Sequence, residues 1–129
     1  MAQSDQIFRL RGEQSYSQAV RAGPLLFVSG TVSWDDSFKV IAPNDAAEQI
    51  AAIYSDIART LAHFGLAAEH IVREKAYLTS DADIAAYRQI RGTFYREHPA
   101  GAPRVTIING LTRADLVAEI ECVCAFPDQ

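Results

Sequence analysis

The stretch from Leu116 to Phe126, LVAEIECVCAF, limits the fold more than any other. Alternate positions Leu116, Ala118, Ile120, Cys122, Cys124 and Phe126 are all apolar, and the intervening set includes Glu119 and Glu121. Such strict alternation marks a strand with one buried face. The buried face must pack on something apolar, and helices are the candidates. The other face carries Val117, Val123 and Ala125 beside two carboxylates. A face that is part apolar and part charged fits an oligomer interface better than open solvent.

Two helices meet that need. Asp45 and Glu48 have capping-box spacing, with Asp as the N-cap. Ile50, Ile53, Tyr54, Ile57, Leu61 and Phe64 follow at the three-four spacing of one helical face, and Gly65 is the natural residue just past the end. Gln49, Asp56 and Arg59 fall off that stripe. A second helix begins near Ser80 or Asp81, with the stripe Ile84, Tyr87, Ile90 and Phe94, and Pro99 stops it.

Strands fill the rest. Ile7 to Arg11 and Ser17 to Arg21 are short candidates, with a turn at Ala22-Gly23-Pro24. Leu25 to Ser29 reads as a buried strand, and Trp34 to Ile41 as a turn with an edge strand. Ile71 to Thr79 alternates Val72, Glu74, Ala76 and Leu78 against Arg73, Lys75, Tyr77 and Thr79. The mixed character of both sets argues against a simple solvent face. Arg104 to Asn109 is the remaining strand. The order is ββ(β)–α–β–α–ββ, an α+β layer with two helices on one face of one sheet.

At 129 residues the chain, 1–129, is one domain, since two would each be too small to hold a core. A net charge of −4 matches nucleic acid and anionic lipid poorly. No apolar run approaches the length of a membrane span. The polar N-terminus MAQSDQIFRLRGEQ carries no signal segment, so the cytoplasm is the expected compartment. Cys122 and Cys124 share one strand face, where geometry opposes a disulfide between them. A lone C-x-C lacks the second ligand pair of a zinc site, which leaves two reduced core cysteines.

Motifs for nucleotide phosphates, zinc proteases and serine hydrolases are absent. His63, His70 and His98 show no metal spacing. Arg104 and Glu121 remain, on strands expected to be neighbours. Arg104 either bridges Glu121 structurally or grips the carboxylate of a substrate in a fork. Glu119 reads as solvated or interfacial.

At this point the sequence becomes familiar. YSQAVRAGPLLFVSG from Tyr16 to Gly30, APRVTIINGL around Arg104, and VAEIECVCAF with Glu121 resemble the Rid (YjgF) family of reactive-intermediate deaminases. The resemblance spans Tyr16 to Phe126. It implies a chorismate-mutase-like, YjgF-type α+β fold, a single mixed sheet with two helices on one face. It also implies a homotrimer with sites between subunits. The archetype hydrolyses 2-imino acids and enamines to 2-keto acids and ammonia, a detoxification that uses no metal or organic cofactor. A link of the family to RNA cleavage suits this chain least, because it lacks interleaved aromatic and basic residues.

Carried over by resemblance, Arg104 binds the substrate carboxylate and Glu121 holds and orients the attacking water. Tyr16 and Ser29 line the pocket. Thr106 stands where the archetype has Cys, and its hydroxyl can still donate. Arg88 stands where many active members have Asn. There it either adds a second cation that favours a doubly anionic substrate or points to solvent. Gln14-Ser15 replaces the usual Gly-Pro. The alternatives to a general imine deaminase are an enzyme dedicated to one catabolic enamine of aminomuconate type, and a non-catalytic regulatory trimer that binds small carboxylates.

Overall fold

The computed structural model describes residues 6–12 and 15–127. Gln14 and the start of the polar N-terminus lie outside the described residues. β1 (Ile7–Phe8), β2 (Ala19–Ala22) and β3 (Leu25–Thr31) lead into α1 (Ala46–His63), β4 (Ile71–Leu78), α2 (Ile84–Tyr95), β5 (Pro103–Ile107) and β6 (Ala118–Ala125). The six strands form one sheet in the order β1-β2-β3-β6-β4-β5. Only β4 and β5 pair in parallel, so the sheet is mixed. No described helix is long and apolar enough to cross a membrane.

Local signals set the helix ends. The Asp45 side chain accepts from the Glu48 backbone N–H, and Gly65 takes a φ of +73°, a conformation that costs glycine little. Ile50, Ile53, Ile57 and Leu61 are buried against Leu26, Val28, Ala76, Ile120, Cys122 and Cys124 of the sheet. Both cysteines are free and buried. A 3₁₀ turn at Asp81–Asp83, capped by Ser80, precedes α2. α2 stops at Tyr95 rather than at Pro99, because Arg96 turns to a φ of 56°.

Several expected elements differ in detail. β1 ends at Phe8, and Arg11 beyond it turns inward to pair with the Asp56 carboxylate at 2.8 Å. Gln49 and Asp56 are off the helical stripe but buried nonetheless. Gln49 accepts from the Val117 N–H and donates to the Ala42 and Asp115 carbonyls, so it ties a loop to α1. β3 is buried on one face only, and Phe27 is 47% exposed on the other. Trp34 to Ile41 contributes a single bridge, Trp34 to Val40.

β4 carries an irregularity between Ile71 and Arg73, opposite Cys124 and Val123. It shifts the phase of the alternation, so Ile71 is buried with Glu74, Ala76 and Leu78 while Val72 is exposed. The strands of Arg104 and Glu121 are not neighbours. β4–α2–β5 is a crossover unit that lays β5 in parallel beside β4, and β6 occupies the other edge of β4.

Glu74 is fully buried beneath the helices. Its Oε2 accepts from the Tyr54 hydroxyl at 2.7 Å and from the Tyr87 hydroxyl, and its Oε1 from the Tyr95 hydroxyl at 2.7 Å. Burial first, then the Glu74 charge, pushes all three phenols above their ordinary range. A carboxylate in an apolar layer is tolerable only when donors surround it in this way.

Candidate functional site

The uncovered face of the sheet brings the chemistry together. On β4, Glu74, Ala76 and Leu78 point to the helices, so Lys75 and Tyr77 point away. Register places Arg104 beside Lys75, and Lys75 beside Glu121. A second row runs Thr106, Tyr77, Glu119. Arg104 and Glu121 therefore share a face but stand two strand spacings apart, about 10 Å between their Cα atoms. No ion pair joins them, and Arg104 is exposed. The structural-bridge reading of Arg104 is thus overturned within the chain: β4 lies between the two groups.

Glu121 is held by a different residue. The Tyr77 hydroxyl donates to Glu121 Oε1 at 2.6 Å, and that bond is the main cause that pushes the Tyr77 phenol above its ordinary value. Glu121 Oε2 has no partner among the described residues. A carboxylate anchored at one oxygen and open at the other is suited to hold a water molecule.

The β3–β6 ladder shifts register between Val28 and Thr31, so Ser29 and Gly30 together oppose Glu121. The Ser29 hydroxyl donates to the Ser17 carbonyl at 2.7 Å and pins the segment that carries Tyr16. Tyr16 itself is 39% exposed. Gly30 makes room for Glu119, since a Cβ there would lie 2.6 Å from Glu119 Oε2. Burial, reinforced by the Glu121 charge, raises the Glu119 carboxyl above the usual range.

Thr106 is half-buried on this same face. Arg88 is exposed on α2, the helix whose Tyr87 reaches Glu74 on the covered side of the sheet. Within one chain it does not join the row of Arg104 and Glu121. Lys75, Tyr77 and Gly30 were missed by sequence reasoning. Alternation in β4 already placed Lys75 and Tyr77 together, but nothing local set them beside Glu121.

A cavity of about 130 Å³ is lined by Arg73, Lys75, Glu121, Cys122 and Val123. A larger groove of about 510 Å³ lies between the helices, along Ala58, Ala62, Leu66 and Arg96, and contains none of these groups. Among the described residues, no group of three or more His, Cys, Asp and Glu side chains is placed to hold a metal ion.

Comparison with known proteins agrees with this fold. The family described as Endoribonuclease L-PSP matches residues 7–126. The protein DfrA of Myxococcus xanthus is 29% identical over 123 residues, 93% of this chain and 90% of that protein. The 3-aminoacrylate deaminase RutC of Acinetobacter baylyi is 28% identical over 109 residues, 84% of each chain. A crystal structure of a YjgF family protein from Neisseria meningitidis superposes with a TM-score of 0.78 at 27% identity, covering 94% of this chain and 96% of that one. RidA from the Antarctic bacterium Psychrobacter has the same fold, with a TM-score of 0.83 at 21% identity over 94% of this chain and 98% of that one. With its mixed sheet, its two helices on one face and this match over nearly its whole length, the chain belongs to the Endoribonuclease L-PSP family, the YjgF/Rid family.

Proposed function

We propose that this protein is a hydrolytic deaminase of small carboxylated imines and enamines, converting a 2-imino acid and water to a 2-keto acid and ammonia. One observation carries the reading: Arg104, free of any partner among the described residues, shares a sheet face with a Glu121 that Tyr77 anchors at one oxygen. The similarity to a relative named 3-aminoacrylate deaminase supports it, since 3-aminoacrylate is an enamine carboxylate.

In this reading the Arg104 guanidinium takes the substrate carboxylate through two parallel bonds. The imine carbon is then held near the free oxygen of Glu121. That oxygen accepts a proton from water as the water oxygen bonds to the carbon and the C=N pair moves to nitrogen. The proton passes to nitrogen, the hydroxyl of the adduct then gives its own proton to the same nitrogen through Glu121, and the C–N bond breaks, so that ammonia leaves as the carbonyl forms. An enamine first takes a proton on carbon and gives one up from nitrogen to become the imine. Ser29 holds the Tyr16 segment at the border of the site, and Thr106 offers a hydroxyl to substrate or water. Arg88 can contribute only from a neighbouring chain.

Such a neighbour is part of the proposal. Phe27 and Val123 are register partners on the uncovered face, and Phe27 is about half exposed. Exposed apolar groups beside the candidate site fit a trimer with the site between subunits, and sedimentation should give about three times the chain mass. A purely carboxylate-binding protein is the second reading, favoured by the unpartnered Arg104.

The deciding experiment supplies freshly generated 2-iminobutanoate and follows ammonia. Release well above the buffer rate is expected, and Glu121→Gln should lower turnover about a hundredfold or more while 2-keto acid affinity changes little. Release at the buffer rate by folded protein would leave only the binding role.

A further inference from the structure

We infer that Lys75 is a specificity-determining residue: beside Arg104 it completes a two-cation subsite that selects 2-imino acids carrying a second carboxylate. The inference rests on the deaminase reading above and names its substrate class. Lys75 and Arg104 are register partners in a parallel pair and project from the same face. Adjacent strands lie about 4.8 Å apart, so the two positive heads serve one small molecule.

No described residue forms an ion pair or a side-chain hydrogen bond with either of them. Glu121 is the other register partner of Lys75, yet no ion pair joins them, and Tyr77 holds Glu121 Oε1 instead. β4 is an interior strand, flanked by β6 and β5. Like charges directly opposite each other in a sheet repel, so an anion held between Lys75 and Arg104 is favoured there. One carboxylate satisfies the planar fork of Arg104. A second is needed to satisfy Lys75, whose compact ammonium acts as a point charge. Lys75 also lines the small cavity with Glu121, which places it at the reacting end of the site rather than at a remote rim.

The test compares binding of 2-oxobutanoate and 2-oxoglutarate, product analogues with one and two carboxylates, by calorimetry on the intact protein. The wild type should bind 2-oxoglutarate at least about tenfold more tightly, or about 1.4 kcal/mol. That preference should shrink as salt is raised. Lys75→Met should bring the two affinities within about threefold of each other, and Lys75→Arg, which keeps the charge, should retain the preference. Equal affinities in the wild type, or a preference that survives Lys75→Met, would overturn the inference. The wild-type comparison needs no variant to fold. Binding of 2-oxobutanoate alone would overturn this inference and leave the deaminase reading intact, whereas binding of neither keto acid would overturn both.

Discussion

Tyr77 donates a 2.6 Å hydrogen bond to Glu121, crossing diagonally from β4 to β6 instead of pairing with Glu119, its register partner. The bond fixes the candidate base in one orientation and leaves its second oxygen open. Tyr77 thus acts as a positioning residue in the proposed reaction.

Tyr77→Phe should keep the fold and lower turnover about tenfold, the worth of one hydrogen bond to a charged group. The loss should fall on kcat, with KM within about threefold. The reciprocal variant gives a spectroscopic check. In Glu121→Gln the Tyr77 phenol loses its charged acceptor, so its pKa should drop back toward 10.0. Alkaline ultraviolet titration should then find phenolate at lower pH than in the wild type. An unchanged titration would argue against the bond.

Arg104→Ala should fold normally, because the guanidinium is exposed and bridges nothing among the described residues. A stability change within about 0.5 kcal/mol is expected by urea unfolding. Affinity for 2-keto acids should fall at least tenfold, about 1.4 kcal/mol. Arg104→Lys keeps the charge without the fork, so it should recover only part of that loss. A folded, fully active Arg104→Ala protein is incompatible with the mechanism.

Glu119 makes stability depend on pH. Its carboxyl is raised above 4.5 by burial and by Glu121, so the folded chain holds this proton more tightly than the unfolded chain. Stability should therefore decline as pH rises from 4.5 through the raised value, and recover on acidification through the same window. Glu119→Gln removes the titration. Melting temperatures measured across that window should fall more steeply with pH in the wild type than in this variant.

Glu74→Leu leaves the Tyr54, Tyr87 and Tyr95 hydroxyls without their acceptor. Each buried orphan costs about 1–3 kcal/mol, so the variant should lose at least about 3 kcal/mol or fail to fold. Tyr87→Phe removes one donor and leaves the carboxylate two others. It should cost about 1 kcal/mol, read from the urea midpoint.

Periodicity made much of this protein legible. The Leu116 to Phe126 alternation separates Ala118, Ile120, Cys122 and Cys124, all buried, from Glu119 and Glu121 on the uncovered face. Asp45 caps α1 and Gly65 follows its end, because both roles depend on backbone conformation within one turn. The residues resembling a known family, Arg104 and Glu121, do lie on one face.

Relations between distant segments were not legible. Alternation assigns a side chain to a face but never says which strand lies alongside. The α2 crossover puts β4 between β5 and β6, so Arg104 and Glu121 are separated by Lys75 instead of touching. A one-residue slip at Val72 reverses the faces upstream of Glu74, and no local pattern announces it. The three tyrosines around Glu74 read as ordinary members of helical stripes or pass unnoticed. They become partners of one carboxylate only when both helices settle on the sheet. Faces follow from backbone geometry a few residues long. Neighbours follow from burying the whole apolar surface at once, and that condition is met only by the complete fold.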